Sequence, residues 1–260
     1  MNSNVLETAN NKVSETISDK APVARSRIKI KLAKFLSLVA LTFVVTLSIA
    51  HFSSITHSAW KRPGPNQWEL EIDKDGVKVY SSESPGTALK KFKAVTRIQS
   101  TLNRVVAAML DADLENCVDW NRNCVVSQSV EPWNAEGQYL INYVRSNNPS
   151  PYPTRDNVVK IHVTQDAKSK AVLIEFTALP DRLPRNECCY RTGYMRNSWR
   201  YTPVENGEIE IEHLQDADRG LPYDLVNQTS ADALYYTFKR LPKLLNKEKY
   251  HHASFDFIKN

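Results

Sequence analysis

Residues 208–245 read EIEIEHLQDADRGLPYDLVNQTSADALYYTFKRLPKLL, and the period of the apolar residues changes once along the stretch. Glu208, Glu210 and Glu212 alternate with Ile209 and Ile211, which marks a strand with one wet face and one apolar face. His213 shares the parity of the isoleucines and is expected to point inward. Farther on, Leu234, Phe238, Leu241 and Leu245 recur at the spacing of one helical face. That face needs an apolar partner, and the dry side of a sheet is the one available. Pro242 has no amide hydrogen to give a helix, so it is expected to kink or end the regular part.

Working outward, CVVSQSVE, QYLINYVRS, NVVKIHV, AVLIEFTAL and YMRNSWRYTPV read as further strands, separated by Pro, Gly, Asn and Asp. Short turns between successive strands imply an antiparallel sheet. Upstream, TLNRVVAAMLD (101–111) predicts a helix capped by Thr101. Before it come a strand after the Asp75-Gly76 turn, with Val77 and Val79 on one face, and a second strand over 89–98. Two or three short strands, a helix, about six strands and a long C-terminal helix make the fold class α+β.

The chain has 260 residues and a formal net charge of +5, unevenly placed. Residues 1–50 hold seven Lys/Arg and three Asp/Glu, leaving twenty-seven and twenty-six for the remainder. The nearly neutral remainder argues against a nucleic-acid partner, which needs a dominant basic surface. Residues 1–30 read as a disordered basic leader. Residues 31–52 contain FLSLVALTFVVTLSIA, uncharged over 35–50, and read as a signal peptide or a membrane anchor helix. Ser48-Ile49-Ala50 is a small-x-small cleavage pattern, whereas the long polar segment before it favours an anchor. Both readings put the N-terminus in the cytoplasm and export the rest across the inner membrane. The expected location is the periplasm, soluble after cleavage or anchored to the inner membrane. Residues 53–65 read as a linker, 66–246 as the domain and 247–260 as a polar tail.

Motifs of chemistry are sparse. There is no G-x-S-x-G, no H-E-x-x-H, no phosphate-binding glycine loop and no Cys/His zinc spacing, so no cofactor or metal is expected. Cys117 and Cys124 are close enough to bridge if the backbone turns back, and four unpaired thiols are the other reading. A bond between the adjacent Cys188 and Cys189 is an uncommon pairing. His251-His252 sits in the polar tail and is read as solvated.

Four stretches carry a resemblance: WELEIDKDGVKVYSSESPGTALKKFKAV, VDWNRNC, PYPTRDNVV and YRTGYMRNSWRYTPVENGEIEIEHLQDADRGLPYDLVNQ. In this order, over about residues 66–246, they resemble the START family, the steroidogenic acute regulatory protein-related lipid-transfer domains, of the exported bacterial type. The resemblance implies a helix-grip fold, in which a curved antiparallel sheet wraps a long C-terminal helix. It also implies an apolar tunnel between them for one lipid or sterol-sized molecule. Sterol-carrying animal members place a second arginine inside the tunnel, six positions beyond the R-D arginine. Here that position is Ile161, which weakens sterol specificity and favours an acyl-chain lipid or another apolar ligand.

The candidate ligand-binding residues are Arg155, Trp120, Tyr139, Tyr143, Trp199, His213 and Phe238. Trp133, Phe176, Tyr194 and Tyr201 complete a set of ring side chains that can line a cavity or fill a solid core. In SPYPTRDNVVKIHV (150–163), Arg155 and Asp156 are either a clamp closing the proline turn or the polar end of a binding site. Three functions compete. An exported carrier or sensor of an apolar ligand, not an enzyme, is favoured. A cavity enzyme of cyclase or hydrolase type would draw on His213, Arg155 and Tyr143. An interaction module would offer the groove to a protein partner.

Overall fold

The computed structural model describes residues 67–259. The leader, the signal or anchor segment and the linker lie outside the described residues. Among the described residues no helix is long and apolar enough to cross a membrane.

Three strands open the domain: β1 (Glu69–Lys74), β2 (Val77–Ser82) and β3 (Lys91–Gln99). β1 and β2 form a hairpin whose two turn residues, Asp75 and Gly76, both have positive φ (53° and 76°). That is the conformation that lets a two-residue turn follow the twist of its strands. Two helices follow, α1 (Leu102–Leu110) and α2 (Leu114–Trp120). Thr101 caps α1 as expected, its hydroxyl accepting from the Arg104 N–H at 3.2 Å. The sequence did not suggest α2, because LENCVDW has no periodic apolar face and only Asn116 within it is buried.

The rest of the sheet is β4 (Cys124–Asn134), β5 (Tyr139–Ser146), β6 (Thr154–Gln165), β7 (Val172–Ala178), β8 (Cys189–Arg191), β9 (Arg196–Pro203) and β10 (Glu208–Gln215). The order is β1-β2-β3-β10-β9-β7-β6-β5-β4, antiparallel along this path, with the short β8 running parallel beside β6. β10 therefore joins the N-terminal strands to the others, pairing Ile211 with Thr96 on one side and Tyr201 on the other.

Helix α3 (Tyr223–Leu245) lies against β2, β3 and the two shorter helices. Its Leu234, Phe238, Leu241 and Leu245 enter one buried cluster with Val79, Phe92, Ile174, Tyr201, Ile209 and Ile211. The two periodicities of residues 208–245 thus meet face to face. Each such side chain contributes about 1.5–3 kcal/mol when fully buried. Pro242 does not end α3, which continues to Leu245. Leu241, Leu244 and Leu245 are all buried and hold the last turn against the core.

The polar tail needs correction as well. After α3 the chain turns back onto the domain, with Tyr250 and Ile258 buried. Phe257 stacks on Trp133 at 4.8 Å between centroids, and the Phe255 N–H donates to Asn103 Oδ1 at 2.9 Å. Tyr250, Phe255, Phe257 and Ile258, spaced among charged neighbours, have no period to read, yet all four pack into or against the core.

Candidate ligand-binding site

Strand alternation builds the site. Along β6, Arg155, Asn157, Val159 and Ile161 share one face, and all four line a cavity of about 480 Å³. Met109 from α1, Trp120 from α2, Trp199 from β9, His213 from β10 and Leu234 from α3 line it too. Its exposed rim includes Tyr236 of α3 (61% exposed) and Arg122 and Asn123 in the turn after α2. That turn is stapled at its base by a Cys117–Cys124 disulfide. Cys188 and Cys189 are also bonded to each other, at the start of β8.

One end of the cavity is aromatic. Trp199 stacks on His213 (centroids 4.1 Å apart) and on Phe238 (5.5 Å), and meets Trp120 edge to face at 5.4 Å. The Trp120 indole N–H donates to the Ala108 carbonyl at 3.3 Å, which fixes the ring between helix and sheet. Phe238 therefore backs the aromatic wall rather than lining it. His213 Nδ1 is 2.9 Å from the Ser198 carbonyl. Burial pushes the imidazole down to about 4, against the opposing effect of that carbonyl. At neutral pH it is an uncharged ring with one nitrogen committed to the backbone, which leaves a poor general acid or base.

Other lining groups are polar. Arg155 Nη1, Asn142 Oδ1 and Thr192 Oγ are buried without hydrogen-bond partners. Burial first, and then the charge of Arg219, lowers the Arg155 guanidinium to about 9. Burial also lowers Arg219, which lines the same cavity. The lining acids are engaged elsewhere. Asp111 accepts from Tyr250 Oη and pairs with Lys249, both at 2.7 Å, and Asp218 accepts from Tyr190 Oη at 2.7 Å.

Arg155 and Asp156 do not act as a pair. Asp156 points to the other face of β6, where Arg191 donates Nε to Oδ1 and Nη2 to Oδ2, each at 2.9 Å. Arg191 also donates to the carbonyls of Pro180, Leu183 and Pro184 at 2.7–3.0 Å. The two side chains are 1% and 0% exposed. Burial alone would raise the Asp156 carboxyl, but the bonds from Arg191, Tyr143 and Asn186 outweigh it and hold the group below its ordinary value. The clamp expected of Arg155–Asp156 is thus Arg191–Asp156, and Arg155 is left to the cavity.

Tyr143 belongs to that clamp, its hydroxyl 3.3 Å from Asp156 Oδ2. Together with Tyr139 it packs in a second cluster with Ile141 and Val158. Tyr139 and Tyr143 therefore do not line the cavity, because their parity in β5 sends them to its opposite face. Asn142 and Val144, between and beside them, line it instead. Of the other rings, Phe176 lines the cavity, Tyr201 is core, Tyr194 is exposed and Trp133 covers the tail. Arg219, Thr192 and Asn142 escaped the sequence reading. Arg219 lies in an aperiodic loop, and the parity of Asn142 was the signal available.

An antiparallel sheet packed against a long C-terminal helix, with a cavity lined by both, defines a helix-grip fold. More narrowly, the chain has the fold of the STAR-related lipid transfer domains. It superposes on a STAR-related lipid transfer protein from Xanthomonas axonopodis with a TM-score of 0.62 at 24% identity, over 69% of this chain and 99% of that one. Human STARD10 gives 0.60 at 17% identity over 70% and 74%, and human StAR-related lipid transfer protein 5 gives 0.60 at 13% over 82% and 99%. An uncharacterized protein of Pseudomonas aeruginosa is 28% identical over 183 residues, 69% of this chain and 87% of its own length. No family model matches the sequence.

Proposed function

We propose that the chain binds one lipid or sterol-sized apolar molecule in the cavity under α3 and carries or senses it without chemical change. The observation that carries this reading is the cavity of about 480 Å³, within the roughly 300–1,000 Å³ usual for small-molecule sites, with an aromatic wall and a few unpartnered polar groups. The lipid-transfer role named for the Xanthomonas and human proteins of the same fold supports it. A tunnel through the domain would form when α3 and the stapled turn after α2 part. The apolar run 35–50 supports export across the inner membrane, with the domain working in the periplasm, free or tethered by that segment.

Native mass spectrometry of the purified chain, followed by organic extraction, tests the proposal. A reproducible added mass that extraction identifies as a lipid is the expected result. An apo mass that persists after incubation with a mixed-lipid extract would overturn it.

A further inference from the structure

Four arginines line the cavity: Arg122 stands on the exposed rim, Arg240 donates to the Trp120 carbonyl at 3.3 Å, and Arg155 and Arg219 are left without a hydrogen-bonding partner. Among the described residues, neither Arg155 nor Arg219 has an ion-pair or hydrogen-bonded side-chain partner, and Arg155 Nη1 is sealed from solvent. Each guanidinium presents donors only, in a fixed fork. A neutral hydroxyl would satisfy one N–H and leave both charges uncompensated. A carboxylate or phosphate accepts from both forks and cancels the repulsion between them. Thr192 Oγ, also buried and unpartnered, can add one more donor from β8's end of the site. Neither lining carboxylate bonds to these two arginines: Asp111 accepts from Tyr250 and pairs with Lys249, and Asp218 accepts from the Tyr190 hydroxyl and the Gly220 N–H. On the same face of β6, Ile161 leads away from Arg155 toward Trp199 and Leu234, so the surface turns apolar beyond the charges.

We infer that Arg155 and Arg219 form a receptor for the anionic head of an amphiphile, a carboxylate or a phosphate monoester, whose hydrocarbon part lies along Ile161, Trp199 and Leu234. The inference rests on reading the cavity as a ligand site. It excludes free sterols and other neutral lipids as the preferred cargo.

Binding of oleic acid, oleyl phosphate and oleyl alcohol to the purified full chain separates the two ideas, because only the head group changes. Wild type should hold the acid or the phosphate at least about tenfold more tightly than the alcohol, the factor expected of charge-assisted bonds. Arg155→Gln and Arg219→Gln should each bring the acid-to-alcohol ratio toward one, and Arg155→Lys should keep part of it. Association with the apolar segment 35–50 would be blind to both the head group and these substitutions. Equal affinity for all three probes in wild type, or a ratio that survives both Gln variants, overturns the inference and leaves the cavity reading intact. No binding of any probe overturns both. Displacement of oleic acid by low-millimolar inorganic phosphate would mark a free-anion site and overturn the amphiphile assignment.

Discussion

Arg191 and Arg155 sit at neighbouring rungs of the β6–β8 ladder, where Asp156 faces Arg191 and Arg155 faces Tyr190, and the fold treats them in opposite ways. Arg191 spends all five of its N–H groups, two on Asp156 and three on the carbonyls of the 180–184 loop. Arg155, on the other face of the same sheet, meets no acid and leaves Nη1 bare. A buried guanidinium without a partner is costly, so such a group is expected where a ligand completes it. On one face of β6 Asp156 is committed to Arg191, and on the other Arg155 is left unpartnered among the residues that line the cavity.

The largest effect should come from breaking the committed face. Asp156→Ala or Arg191→Ala strands a buried charge and should cost about 3–5 kcal/mol in urea unfolding. A loss below about 1 kcal/mol in both would erase the distinction between the two faces. The pH dependence has a definite sign. The Asp156 carboxyl titrates lower in the folded state than its ordinary 3.8, so its contribution is complete above that value and is lost as pH falls through the folded-state value.

The cavity face predicts a separate pH window. His213 titrates near 4 when folded against 6.5 ordinarily, so between those values the unfolded chain takes up a proton that the folded chain refuses. Stability should drop by up to about 3 kcal/mol from pH 6.5 toward 4, and His213→Gln should flatten that segment of the curve. An unchanged curve would mean the ring is not kept neutral by burial. Next in size is the staple at the rim. Cys117→Ser with Cys124→Ser opens a loop of seven-residue separation and should cost about 2–3 kcal/mol by loop-closure entropy. Oleic acid should then exchange faster from the variant in stopped-flow displacement, because the turn carrying Trp120 and Arg122 is no longer pinned.

Periodicity made the architecture legible. The alternation of residues 208–213 and the four-residue face of α3 predicted which side chains meet, and they do so through Ile209, Ile211, Leu234 and Phe238. Elements without a period escaped: α2 buries little beyond Asn116, and the return of residues 247–259 rests on a few scattered rings. The site was legible wherever parity could be counted from a known inward residue, as with His213. It failed at Tyr139 and Tyr143, whose large rings suit a cavity but whose parity in β5 is that of Ile141, on the face away from it. It failed also for Asp156, whose partner is thirty-five residues away on another strand. Long-range pairing of that kind leaves no local trace.

The smallest effect on stability is the most telling. Arg155→Leu removes a desolvated charge that the ligand-free fold does not pair, so the variant should unfold within about 1 kcal/mol of wild type, on the stable side if anywhere. The same change at Arg191 should cost several times as much, although both replace a partly or wholly buried arginine with a side chain that needs no hydrogen bonds. Saturating oleic acid should stabilise wild type by more than it stabilises Arg155→Leu, since ligand linkage adds only what binding to the folded state provides. A large destabilisation of ligand-free Arg155→Leu would mean that this arginine, too, is part of the scaffold, and the two faces of β6 would no longer differ in kind.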